Sequence, residues 1–124
     1  MSEVLIVEIN EDIREILSRK LMALYATSIT ACAPSEAAKF LDAHDLAIVV
    51  GDVEDSLDSG FWIHDYLREM RPDIQLALFI DGHKPLRNIP PLDSVLKVAV
   101  LKPDFQKLYS EIEKLGVLHA RRPN

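Results

Sequence analysis

The run Leu46–Gly51, LAIVVG, constrains the fold more than any other stretch of the chain. It is apolar without polar alternation, so as a strand it must be covered on both faces, which is the situation inside a parallel sheet. It ends on Asp52, and an acidic, helix-breaking loop, VEDSLDSG, runs on to Gly60. A carboxylate closing a buried strand is where any chemistry would centre.

The rest of the chain alternates in the same way. Glu3–Val7, Ser28–Cys32, Gln75–Ile80 and Lys97–Leu101 read as four further strands. Glu11–Leu24 is an amphipathic helix capped by Asn10, with Ile13, Ile16, Leu17, Leu21 and Leu24 on one face. Pro34-Ser35-Glu36 opens a second helix that ends near His44, with Ala38, Leu41 and Phe40 turned inward. A third helix, Phe61–Met70, follows Gly60 and is halted by Arg71-Pro72. Asp81-Gly82 signals a turn, and His83–Ser94 carries Pro85, Pro90 and Pro91, which exclude a regular helix beyond a turn or two. Asp104 caps a last helix with Phe105, Leu108, Ile112 and Leu115 inside and Gly116 as its stop.

Five strands alternating with helices predict an open α/β three-layer sandwich with right-handed crossovers. Ligands and chemistry in such sheets gather beyond the carboxyl ends of the strands. Four charged residues end apolar runs there: Glu8, Asp52, Asp81 and Lys102.

Composition narrows the function classes. A chain of 124 residues suits one domain, placed at 1–116 with 117–124 as a tail. The net charge of −6 and the lack of a basic stripe argue against nucleic acid, and the pair Arg121–Arg122 reads as a solubilising end. Cys32 stands alone, so it reads as core filler in a reducing cytoplasm. No run reaches membrane-spanning length, so no membrane partner is expected. His44, His64, His83 and His119 lack metal-ligand spacing and read as surface or helix-end residues. Ser56 and Ser59 have no nucleophile-elbow context, and no glycine-rich phosphate loop is present. Trp62 and Tyr66, one turn apart, either pack together or form a docking patch. Nothing in the chain points to an enzyme.

With these residues in view, the chain resembles the receiver domain of two-component response regulators over nearly its whole length. VLIVEINEDIREIL resembles the family's opening strand and helix. AIVVGDVEDSLDSGF resembles its phosphoacceptor strand and loop, with Gly60 eight residues after Asp52, and LKPDF resembles its Lys-Pro-aromatic signature with Asp104 inserted. The resemblance implies a flavodoxin-like, CheY-like fold with strand order 2-1-3-4-5. It also implies Asp52 as phosphoacceptor, Lys102 as the phosphoryl-contacting cation, and Glu8 with Asp52 as ligands of Mg²⁺. A histidine kinase or phosphotransfer protein would be the donor. The surface of the proline-rich segment, the fifth strand and the last helix would meet a downstream protein or a second copy in a homodimer.

The chain departs from the family at the switch and at the metal. Ile9 stands where the family has a second acid, leaving Asn10 or Glu11 to substitute. The family's hydroxyl position falls on Ile80 or Asp81; LALFIDGH favours Asp81, in the manner of a subgroup with a Phe-Ala-Thr-Gly-Tyr-like strand end and a short fourth helix. The aromatic switch position is Ala99. Transfer of a phosphoryl group to a carboxylate sets anion against anion, so positive charge must bridge them. Two readings follow, a phosphoacceptor module and a pseudo-receiver that keeps Asp52 and Lys102 only as an ion pair. A flavodoxin-like ligand domain is disfavoured by the missing phosphate loop after the first strand.

Overall fold

Apolar side chains on both sides of the central strands require cover from two layers, and two layers are present. The computed structural model describes residues 3–52, 62–81 and 90–121. β1 (Glu3–Val7), β2 (Ser28–Cys32), β3 (Leu46–Gly51), β4 (Gln75–Asp81) and β5 (Leu96–Lys102) form one parallel sheet of order β2-β1-β3-β4-β5. On one face lie α1 (Glu11–Leu24) and α3 (Phe105–Leu115); on the other lie a 3-10 helical segment (Pro34–Lys39) and α2 (Trp62–Met70).

Alternate residues of each central strand go to opposite cores. Val4, Ile6, Ile48, Val50 and Phe79 pack with Leu17 and Leu21 of α1 and with Leu108 and Ile112 of α3. Leu5, Val7, Val49, Leu76 and Leu78 pack with Ile63 and Leu67 of α2 and with Leu41. Each fully buried aliphatic side chain of this size contributes about 1.5–3 kcal/mol relative to exposure. β5, at the sheet edge, alternates instead: Leu96, Val98 and Val100 are buried while Lys97, Ala99 and Leu101 are exposed.

Helix starts follow their caps. The Asn10 side chain accepts from the N–H groups of Asp12 and Ile13, and Asp104 accepts from Lys107 N–H. Gly116 ends α3 in the left-handed conformation at φ 67°.

Two expectations are corrected. The second helix is a 3-10 segment, and Ala37 rather than Ala38 is buried, with Leu41 inside and Phe40 half-buried. A three-residue turn carries Pro34 and Ala37 inward and leaves Ala38 outside. On α1, Ile16 is exposed while Leu17 and Leu21 carry the packing. Asp81 closes β4, as expected of a charge that ends an apolar run, and the turn expected at Asp81-Gly82 runs on into residues outside those described. Residues after Gly116 make contacts of their own. Leu118 is buried, Ala120 bridges Tyr25 in antiparallel fashion, and Arg121 donates from its backbone N to Leu24 O and from Nε to Met22 O. α1 has no basic residue in its last turn, and Arg121 serves its open carbonyls from far along the chain.

Residues 90–95 are in neither helix nor strand. Phe61, Gly82, His83, Pro85, Leu86 and Ile89, the acids Glu54, Asp55 and Asp58, and Ser56, Ser59 and Gly60 lie outside the described residues.

Candidate functional site

Parallel strands of matched length bring their carboxyl ends to one edge, and that places Glu8, Asp52, Asp81 and Lys102 there. Val7 pairs with Gly51, Gly51 with Leu78, and Asp81 with Lys102. Gly51 makes the approach of β3 to β1 possible. Its φ is 132°, and a Cβ there would overlap the Val7 carbonyl oxygen. Asp52 is therefore aimed by the one residue type that its predecessor's position accepts.

Glu8, Asp52 and Lys102 meet there. The Lys102 ammonium lies 2.6 Å from Glu8 Oε1 and 3.4 Å from Asp52 Oδ2. Glu8 is fully buried and Asp52 nearly so, with the Lys102 side chain 14% exposed. Glu8 Oε2 accepts from Asn10 N–H at 3.1 Å, and the Glu8 carbonyl accepts from Arg14 Nη1 at 3.0 Å. Glu8 N–H donates to Cys32 O at 2.9 Å. The close contact of Oε1 with Lys102 lies outside hydrogen-bond geometry, so it is an ion pair without a directed hydrogen bond.

Asp81 sits half-buried at the end of β4 beside Lys102 in register, while Ile80 is buried in the core on the α2 side. Of the two switch candidates, only Asp81 stands at the strand-end edge. Ala99 is exposed on β5 and offers no ring.

The oxygens of Glu8 and Asp52 suit magnesium in kind, since it takes one or two carboxylates and leaves the rest of its octahedron to water and bound phosphate. The substitutes for the second acid are otherwise engaged. Asn10 Oδ1 caps α1, and Glu11 is 88% exposed and paired with Arg14 at 3.7 Å. Ile9 is 68% exposed. Among the described residues no three metal-ligating side chains come together. The residues fit a two-carboxylate site, already met by an ammonium.

A groove of about 320 Å³ lies elsewhere, between α1, α3 and the tail, lined by Lys20, Leu24, Tyr25, Tyr109, Glu113 and Ala120. Burial, then the Glu113 charge, pushes the Tyr25 phenol up. The strand-end charges take no part in it.

This architecture has a solved counterpart. The chain superposes on the response regulator protein TrrA, in its crystal structure with histidine kinase ThkA. The TM-score is 0.70 at 24% identity, over 93% of this chain and 98% of that one. The fold is CheY-like. No protein-family model matches the sequence, and a search of curated proteins finds no match.

Sequence reasoning missed a second ionic cluster. His64, expected at a surface or helix end, is buried on α2, with Nε2 2.8 Å from Asp93 Oδ2. Asp93 Oδ1 accepts from Val95 N–H at 2.8 Å and Leu96 N–H at 2.7 Å, and Arg68 approaches Oδ2 at 3.6 Å. Partial burial disfavours this carboxylate, but the N–H groups of Leu96 and Val95, and then the His64 ring, outweigh it and hold its pKa at about 2. The only sequence signal was His64 falling next to Ile63 on the apolar stripe. Cys32 matches its expectation: burial, then Glu36, pushes its thiol up to about 11 despite Arg14. Trp62 and Tyr66 pack against the α2-side core, and Tyr66 donates to Asp42 at 2.6 Å, so they belong to the packing.

Proposed function

We propose that this chain is a signalling module of receiver type, in which Asp52 accepts a phosphoryl group from a histidine kinase or phosphotransfer protein. The observation that supports it is the meeting of Glu8, Asp52 and Lys102 at the carboxyl edge of a 2-1-3-4-5 sheet. In the step itself, an Asp52 oxygen forms the new P–O bond as the bond from phosphorus to the donor's imidazole nitrogen breaks, and the electron pair leaves with the imidazole. Lys102 neutralises charge on Asp52 beforehand and on the phosphoryl oxygens afterwards. Glu8, held by Asn10 N–H and Lys102, keeps the ammonium oriented. Magnesium, held by Glu8 and Asp52, would supply the remaining positive charge against the phosphoryl oxygens. The output would pass through protein contacts, without the family's hydroxyl and aromatic switch, since Ile80 is in the core and position 99 is alanine.

A second reading has its own observation. The 2.6 Å ion pair to a fully buried Glu8 is what a pseudo-receiver would keep, with the three charges serving the fold alone. Incubation with acetyl phosphate and Mg²⁺ separates the two by intact mass. The first reading expects one phosphoryl group on the chain and none on Asp52→Asn. A mass unchanged in both, with no NMR response to beryllofluoride, leaves the second.

A further inference from the structure

We infer that the groove between α1, α3 and the tail binds a small zwitterion, a free amino acid with an apolar side chain, its carboxylate at Lys20 and its ammonium at Glu113. The groove shares no residue with the strand-end charges, so the inference is independent of phosphoacceptance. Its volume of about 320 Å³ is at the small end of the range of about 300–1,000 Å³ typical of ligand sites. Leu24, Ala120 and the rings of Tyr25 and Tyr109 give it an apolar lining. The Tyr25–Ala120 bridge and the hold of Arg121 N–H on Leu24 O fix its walls together, so the groove is formed before anything enters it.

The polar groups of the groove are short of partners. Tyr25 is 6% exposed, yet no hydrogen bond joins its hydroxyl to another described residue, and Glu113 acts on it through charge alone. A phenol so placed ordinarily finds a hydrogen-bond partner. Burial and the Glu113 charge push this phenol up, so it keeps its proton and remains a donor. Lys20 and Glu113, both exposed, bring opposite charges to the same groove, and no ion pair joins them. The Lys20 ammonium lies instead over the Tyr109 ring, 5.8 Å from its centroid. Tyr109 and Glu113 are one turn apart on α3, about 6 Å along its axis, so the two charges stand at different levels of the groove. An anion alone would be repelled at Glu113, and a cation alone at Lys20. A molecule with both charges a few bonds apart answers both ends and brings the Tyr25 hydroxyl an acceptor, while its side chain lies on Leu24 and the rings.

The test is a titration of the full chain, followed by amide NMR, with L-phenylalanine, L-leucine, N-acetyl-L-phenylalanine and L-phenylalanine amide. The third probe lacks the ammonium and the fourth lacks the carboxylate, while both keep the phenylalanine side chain. At least one of the two free amino acids should shift the amides of residues 20–25 and 106–113 at millimolar concentration. L-Phenylalanine should bind at least about tenfold more tightly than its acetylated or amide form, since each of those loses a charged hydrogen bond. Lys20→Gln and Glu113→Gln, both at exposed positions, should each weaken binding about tenfold, and Tyr25→Phe, which keeps the ring, about threefold. If Tyr25→Phe disturbs the fold, the two exposed variants carry the test. No shift with either free amino acid by about 20 mM overturns the inference. So do shifts confined to residues outside the groove, equal binding of all three phenylalanine probes, or affinity unchanged in both Lys20→Gln and Glu113→Gln.

Discussion

Two ionic clusters among the described residues are satisfied in opposite ways. Around Asp93 one carboxylate has a surplus of donors: two backbone N–H groups, the His64 ring and Arg68. At the strand ends the Lys102 ammonium touches both Glu8 and Asp52, and one oxygen of Glu8 lacks a directed hydrogen bond. The saturated cluster ties α2 to the approach to β5 and has nothing left to offer a ligand. At the strand ends, Glu8 Oε1 retains an appetite for a donor or a positive charge. Buried polar groups left short of partners mark a functional edge more reliably than buried charge as such.

The contrast can be broken at several points. The largest effect is expected from Gly51→Ala, which drives a methyl group into the Val7 carbonyl and misplaces Asp52. It should cost more than about 3 kcal/mol in a urea melt, or leave no folded protein. Glu8→Ala comes next at about 3–5 kcal/mol by the same melt, since it removes the fully buried 2.6 Å partner of a largely buried ammonium and leaves it the longer contact to Asp52. Asp93→Ala should cost about 2–3 kcal/mol, by removing the acceptor of two backbone N–H groups and the partner of His64.

The same substitution has a pH signature. The Asp93 pKa is depressed from 3.8 to about 2, so its contribution is full above the ordinary value and is lost as pH falls through about 2. The stability gap between the unaltered chain and Asp93→Ala should therefore narrow below about pH 4 and be nearly closed near pH 2. The smallest effect belongs to Asp52→Asn. Removing one of two acids that share a cation should change stability by less than about 1 kcal/mol, in either direction, while abolishing phosphoryl uptake. A loss as large as that of Glu8→Ala would mean that Asp52 belongs to the fold in the same way as Glu8.

Much of this was written locally and could be read locally. β1, α1, β2 and β3 begin and end where the apolar runs meet Asn10, Glu8 and Asp52, because caps and strand-end charges act within a few residues. Glu8, Asp52 and Lys102 were legible for the same reason, each closing a run that had to be a strand. What escaped depends on distant partners. His64 finds Asp93 29 residues on, and Arg121 reaches Met22 across 99 residues, so no local pattern announces either. The 3-10 segment escaped because Pro34, Ala37 and Leu41 suit a three-residue and a four-residue turn almost equally well, and packing decided between them. Gly51 gave no turn signal; its need comes from the neighbouring strand.

Trp62, the chain's single tryptophan, opens α2 half-buried against the core. Its indole emission thus arises from one known place. A change in colour or quenching on adding a cation or a phosphodonor would report movement at the start of that helix, with no dye attached and no second fluorophore of its kind to confuse the signal.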